Sequence, residues 1–162
     1  MEKLISDGLV ESLQEQLAHE KYNANLYLYI AGYLKNKGLE NLAKHFEGQH
    51  DEENGHAKII FDLLTDLNSD VIIKGIDEVS MPFNNIIDIS DAYLNREIIT
   101  TNSLNDIKNQ AIEESNPVVE ERMREMIILQ QNEYAEATDF KDKAYITGGD
   151  WKFVLMWDLG LK

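Results

Sequence analysis

Glu20, Glu53, His56 and Glu97 are the residues of this sequence whose type and placement could do chemistry. Each stands where the apolar repeat of its own segment calls for a leucine. An ionised carboxylate buried without a partner costs on the order of several kcal/mol, far more than a surface preference offsets. A bound cation supplies the compensation. Glu53 and His56 are three apart, so on a helix both side chains leave one face about a turn apart, and one ion can take a carboxylate oxygen and an imidazole nitrogen. A Glu-x-x-His pair alone is weak evidence, but here it falls in a buried stripe, and two other segments each add a stripe acid near mid-length. Carboxylate-rich ligation with few imidazoles and no thiolate suits Fe(II), Fe(III), manganese or, less specifically, zinc. Two adjacent irons can deliver two electrons to dioxygen together. The plainer reading, a polar network that satisfies itself, leaves several buried acids without a counter-charge.

Long helices must carry these residues. From Asp7 to Lys35 no proline occurs, and Leu13, Leu17, Glu20, Ala24, Tyr27, Ala31 and Leu34 recur at alternating steps of four and three, one face of a helix over 7–35. Asn36-Lys37-Gly38 breaks the pattern, which resumes as Leu39, Leu42, Phe46, Gln49, Glu53, His56, Ile60, Leu63 and Leu67, a second helix over 39–67. So short a connection makes the two antiparallel neighbours. Asn68 to Asp88 lose the helical period and hold Gly75, Pro82 and Asn84-Asn85. A link this long suits a crossover along the bundle, leaving the third helix parallel to the second. That helix is expected over 89–114, capped by Asp88 or Ser90, with Tyr93, Glu97, Thr100, Leu104, Ile107 and Ala111 inward. Asn116-Pro117 starts a fourth helix over 117–146. After Gly148-Gly149-Asp150 a short apolar helix over 151–160 carries Trp151, Val154, Leu155, Trp157 and Leu159. The expected fold is all-α: one domain over 1–162, a four-helix bundle with a long crossover between its second and third helices and a short fifth helix.

Thirty Asp and Glu against fifteen Lys and Arg give a formal charge of -15, which repels nucleic acid and anionic membranes and attracts small cations. There is no cysteine, so disulfides, thiolate zinc sites and iron–sulfur clusters are excluded. The first residues lack the apolar core of a signal peptide and no stretch is long and apolar enough to span a membrane, so a cytoplasmic location is expected.

The segments His19-Glu20-Lys21-Tyr22, Glu52-Glu53-Asn54-Gly55-His56 and Arg96-Glu97-Ile98-Ile99-Thr100 resemble the iron-oxidising helices of non-haem ferritins, and the similarity covers nearly the whole chain. The resemblance implies a ferritin-like bundle in which Glu20 and His56 ligate one iron, Glu53 bridges a pair, and Glu97 ligates the second, two irons per subunit. It puts Gln131 beside the second iron as the fourth-helix glutamine of the family, and makes Tyr27 the tyrosine next to the centre associated with electron transfer during oxygen reduction. A third, inner-surface iron site would map onto Glu52, Gln130, Glu133 and Tyr134, of which two are carboxylates. The family's activity would be Fe(II) oxidation by dioxygen or peroxide, with Fe(III) stored as mineral inside a shell of twenty-four copies. In that shell Glu121 would stand by an ion-entry pore, and the last helix would surround four-fold channels.

Departures sort the relatives. Bacterioferritins repeat Glu-x-x-His on the fourth helix, where this chain reads Gln130-Gln131-Asn132-Glu133-Tyr134, and their haem-ligating methionine would fall at Asn54, so no haem is expected. Rubrerythrins would need cysteines. Two other classes stay open at this point: a di-iron or di-manganese oxidase or peroxidase without a cage, and a non-catalytic helical module. His19, His45 and His50 lie off the stripes and are expected in solvent.

Overall fold

In the computed structural model, which describes residues 1–161, the chain forms five helices: α1 (Asp7–Lys35), α2 (Glu40–Asp66), α3 (Ile86–Glu113), α4 (Pro117–Ile146) and α5 (Trp151–Gly160). Each start has a local cause. Ser6 caps α1 by accepting from Leu9 N at 3.1 Å, and Asn116 caps α4 through Val119 N with Pro117 in the first turn. The third helix begins three residues earlier than expected. Asn85 is its cap, accepting from Ile87 N and Asp88 N, which leaves Asp88 in the first turn. Gly149, at φ +80°, approaches this cap so closely that a Cβ would stand 3.1 Å from Asn85 Nδ2.

Helix α2 has no cap of its own, because Leu39 offers no acceptor. The acceptor comes from α5: Asp158 Oδ1 takes the Leu42 N–H at 2.8 Å, and Asn41 Nδ2 donates to the Asp158 carbonyl. The fifth helix therefore docks on its own bundle, with Val154 and Asp158 buried and Trp157 against Phe140 at 4.8 Å between ring centroids. Of its apolar residues Phe153, Leu155, Met156 and Leu159 stay exposed.

Contacts fix the directions. Lys21 meets Asn54 while Ala24 meets His50, so α1 and α2 are antiparallel. Ser12 meets Gln110, His19 meets Thr100 and Tyr27 meets Glu97, so α3 is antiparallel to α1 and hence parallel to α2. The crossover follows α1 along its length: Ile72 N donates to Gln14 Oε1, Tyr29 Oη to the Met81 carbonyl and Tyr33 Oη to the Phe83 carbonyl. From Gln14 to Tyr33 is a rise of about 29 Å, which the segment covers only by being extended.

The apolar core is in two blocks. One holds Leu9, Leu13, Leu17, Ile60, Leu63, Leu104 and Met123, the other Tyr27, Ile30, Leu34, Phe46, Tyr93 and Phe140. Between them lies a buried polar layer of Glu20, Glu53, Glu97, Thr100, Gln130 and Glu133.

Candidate metal centre

Four helices each bring a carboxylate to this layer: Glu20 from α1, Glu53 from α2, Glu97 from α3 and Glu133 from α4. Glu20, Glu53 and Glu97 are fully buried, and Glu133 is 4% exposed. His56 closes the group from one side. Its Nδ1 is 3.6 Å from Glu53 Oε2 and 3.9 Å from Glu20 Oε2, and its Nε2 is 3.4 Å from Glu133 Oε1. Two sets of donor atoms, each within 4.8 Å of one another, result: Glu20, Glu53 and His56 in one, Glu53, Glu97 and Glu133 in the other. Glu53 belongs to both, as a bridging residue between two ions would.

The hydrogen bonds are distributed unevenly. Glu97 accepts from the Tyr27 hydroxyl on one oxygen and from Gln130 Nε2 on the other. Glu20 accepts from Gln16 Nε2 at 3.0 Å on Oε1 alone. Glu20 Oε2, both oxygens of Glu53 and Glu133 Oε2 are buried without a partner. Burial of so many unpaired acceptors is the feature a cation would relieve.

Without a cation the layer holds protons. Burial, followed by the charges of Glu20, Glu97 and Glu133, pushes the Glu53 carboxyl well above the usual range. Burial, the adjacent Glu52 and the charge of Glu97 push Glu133 up to about 9. Burial raises Glu97 too, opposed by the bonds it accepts from Tyr27 and Gln130. The Tyr27 phenol is raised, first by burial and then by Glu97 and Glu53. Four acids facing one histidine fit the donor chemistry of a pair of hard or borderline divalent ions.

The structure brings Glu20, Glu53, His56, Glu97 and Tyr27 together around this layer. Gln131 is the exception. It is exposed, and Gln130, one residue earlier, is the 1% exposed glutamine that touches Glu97. One step along a helix turns a side chain through about 100°, and the buried stripe of α4 runs Val119, Met123, Met126, Gln130, Glu133, Ala137, Phe140 and Ala144. The apolar run Ile127-Ile128-Leu129 hides this stripe in the sequence, because Ile128 and Leu129 are exposed. Glu133 likewise belongs to the centre, while Glu52 and Tyr134, which sequence reasoning grouped with it, are exposed. The signal that finds both α4 residues is their three-residue spacing in register with Met123 and Met126.

The three histidines expected in solvent are not there. His19 is part-buried, with Nε2 2.6 Å from Thr100 Oγ1 and Nδ1 accepting from Arg96 at 2.7 Å, and burial holds it neutral with a pKa lowered to about 4. His45 stacks on Phe140, and burial lowers its pKa. His50 donates from Nδ1 to the Ala24 carbonyl at 2.8 Å. His19 and His50 satisfy polar neighbours through their ring nitrogens, whereas His45 packs by its ring face and leaves Nε2 buried without a partner.

A crossover bundle with a fifth helix and a carboxylate pair-site in its polar layer defines the ferritin-like class. The match to the ferritin-like domain model over residues 10–143 shows that this chain belongs to that family, on its non-haem side. It is 24% identical over 159 residues to a probable bacterial non-heme ferritin-like protein of Haemophilus influenzae, covering 97% of this chain and 96% of that protein. It is 30% identical over 126 residues to the ferritin BfrB of Mycolicibacterium smegmatis, covering 78% of this chain and 70% of the other. Among solved structures, an open-pore ferritin of the archaeon Archaeoglobus fulgidus superposes with a TM-score of 0.92 at 25% identity, covering 97% of each chain.

Proposed function

We propose that this chain is an iron-storage subunit that oxidises Fe(II) at the layer between its helices. The observation that carries the reading is the sharing of Glu53 between two buried donor sets, with its two oxygens unpartnered. Glu20 and His56 complete one position for Fe(II), Glu97 and Glu133 the other. Two substrate ions held side by side supply the two electrons that reduce dioxygen to peroxide, two protons being consumed, and each ion leaves as Fe(III). Peroxide serves as an alternative oxidant, accepting the same two electrons. Tyr27 bonds Glu97 and touches the second position through it, which places an oxidisable ring at the centre. Glu53 and Glu133 give up protons as iron enters, since both hold them when uncompensated.

Storage follows from assembly. The exposed apolar side chains of α5, Phe153, Met156 and Leu159, suit contacts between copies in a closed shell, twenty-four in the family, enclosing the ferric mineral. The iron is handled without haem: position 54, where bacterioferritins ligate haem, is an asparagine bonded to Lys21. Among the described residues no helix is long and apolar enough to cross a membrane. The acidic surface disfavours nucleic acid, and the proposed partners of this cytoplasmic store are Fe(II), the oxidant and other copies of itself.

Anaerobic Fe(II) loading followed by oxygen tests this. About two irons per chain should oxidise in a fast phase, and Glu53→Ala with His56→Ala should abolish it. Fast oxidation that persists in the double variant rejects the centre. Size-exclusion chromatography separates the cage from a cage-free oxidase: a particle of many hundreds of kilodaltons is expected, and a monomer or dimer favours the other enzyme.

A further inference from the structure

Gln16 plays no part in the reading above, yet it is 2% exposed and bonded to the centre. Its Nε2 donates to Glu20 Oε1 at 3.0 Å, one turn along α1, while Glu20 Oε2 is the unpartnered oxygen that faces His56. We propose that Gln16 is a positioning residue that makes Glu20 a one-oxygen ligand, keeping a coordination place open at the first iron position for water or oxidant. The proposal rests on the metal-centre reading.

The acids that α1, α2 and α3 bring to the layer differ in how many of their oxygens are free. Glu53 has two and is suited to bridging; Glu97 has each oxygen engaged by one donor, Tyr27 on one and Gln130 on the other, which leaves one lone pair on each for a metal. Glu20 has one. A carboxylate with two bare oxygens closes on a cation with both, and each oxygen so used removes a site from an ion of limited coordination number. An amide N–H aimed at Oε1 prevents that closure at small cost, because an uncharged donor stabilises the ionised carboxylate without competing for the metal. On its other side Gln16 lines a pocket of about 270 Å³ with Ser12, Glu15, His19, Ser103 and Asp106. Shortening the side chain at position 16 would let water from that pocket reach Glu20, whereas an apolar side chain of similar size would keep Oε1 dry.

This difference separates positioning from packing. With positioning, Gln16→Ala keeps a water as substitute donor and is mild, and Gln16→Leu removes every donor and is severe. With packing alone the order reverses, since Ala leaves a cavity and Leu fills it. The measurements are the fast Fe(II) oxidation rate and the visible absorption of bound Co(II), whose bands weaken as coordination number rises. Gln16→Leu should slow oxidation roughly ten- to hundred-fold and weaken the Co(II) bands while holding Co(II) at least as tightly, with Gln16→Ala between it and the parent. Parent-like rates and spectra in Gln16→Leu, or an Ala variant more damaged than Leu, overturn the proposal; Gln16→Met, of similar length, replaces Leu if that variant does not fold. A parent protein that binds no Co(II) or Fe(II) overturns the metal centre itself, and the role of Gln16 with it.

Discussion

Replacing Glu53 by glutamine should stabilise the metal-free protein while removing its response to metal. Both Glu53 oxygens are buried without partners, and a buried unsatisfied group costs about 1–3 kcal/mol, more when charged. A glutamine amide in the same place donates to Glu20 Oε2 or Glu133 Oε2, which are unpartnered in the two donor sets Glu53 joins. A gain of about 2–3 kcal/mol is expected, and at about 2–4 °C per kcal/mol for a chain of this size the melting temperature rises roughly 5–10 °C. The parent recovers a similar amount when Fe(II) or Zn(II) is added, since a ligand at a hundred times its Kd contributes about 2.7 kcal/mol. Glu53→Gln should gain almost nothing from metal. Scanning calorimetry of chelator-treated protein, with and without anaerobic metal and at one assembly state, gives all four values. The pH dependence has a defined sign. The folded protein holds protons on Glu53 and Glu133 that the unfolded chain releases above about pH 4.5, so apo stability falls as pH rises from there, through about 9 for Glu133. Bound metal flattens that slope by replacing the protons. An apo Glu53→Gln variant that melts below the parent at pH 7 refutes the argument, because the acid side chain would then be stabilising without a cation.

On α4, Gln131→Ala should change stability by no more than about 0.5 kcal/mol and leave Fe(II) oxidation at the parental rate, whereas Gln130→Leu, which strips a donor from Glu97, should slow it roughly ten- to hundred-fold. Stopped-flow oxidation of the two variants side by side decides between the neighbours. Asp158→Leu removes the cap that α5 supplies to α2 and should cost about 1–2 kcal/mol, seen as a lower melting temperature with altered near-ultraviolet dichroism from Trp157; Asp158→Asn keeps the acceptor and most of the stability. His19 is held neutral with its pKa lowered to about 4 from an ordinary 6.5, so its contribution is present above pH 6.5 and is lost as pH falls towards 4. His19→Gln should flatten acid destabilisation in that window, measured by urea unfolding at several pH values.

The long helices were legible because each buried face repeats at steps of three and four, and every residue of the α1 stripe from Leu13 to Leu34 is buried. The acids of α1, α2 and α3 could be read in the same way, each holding a place in a stripe that is apolar towards both ends. On α4 Gln130 and Glu133 come from a stripe whose nearest members are Met123, Met126 and Ala137, while Ile128 and Leu129 sit on the outside, so local hydropathy points to the wrong face. The start of α3 was misplaced because Asn85, Asp88 and Ser90 are all competent caps, and only tertiary contact with Gly149 favours Asn85. Gln16 and Asp158 act through partners on neighbouring turns or distant helices, which a one-dimensional pattern does not register.

The unequal supply of donors across the layer also bears on how iron can pass through it. A site completed by lysine or arginine would be stable when empty and would resist loading, since the cation would have to displace a fixed charge. Among the described residues no lysine or arginine pairs with the four acids: Glu20 and Glu97 accept from uncharged donors, Arg96 acts on Glu97 only through its charge, and burial favours protons on Glu53 and Glu133. On the proposed function, entry of Fe(II) would release these protons and departure of Fe(III) would let them return. The same layer is flanked by two apolar blocks that pack its four helices on either side. Apolar walls and titratable contents together suit the proposed role, in which metal passes through the centre.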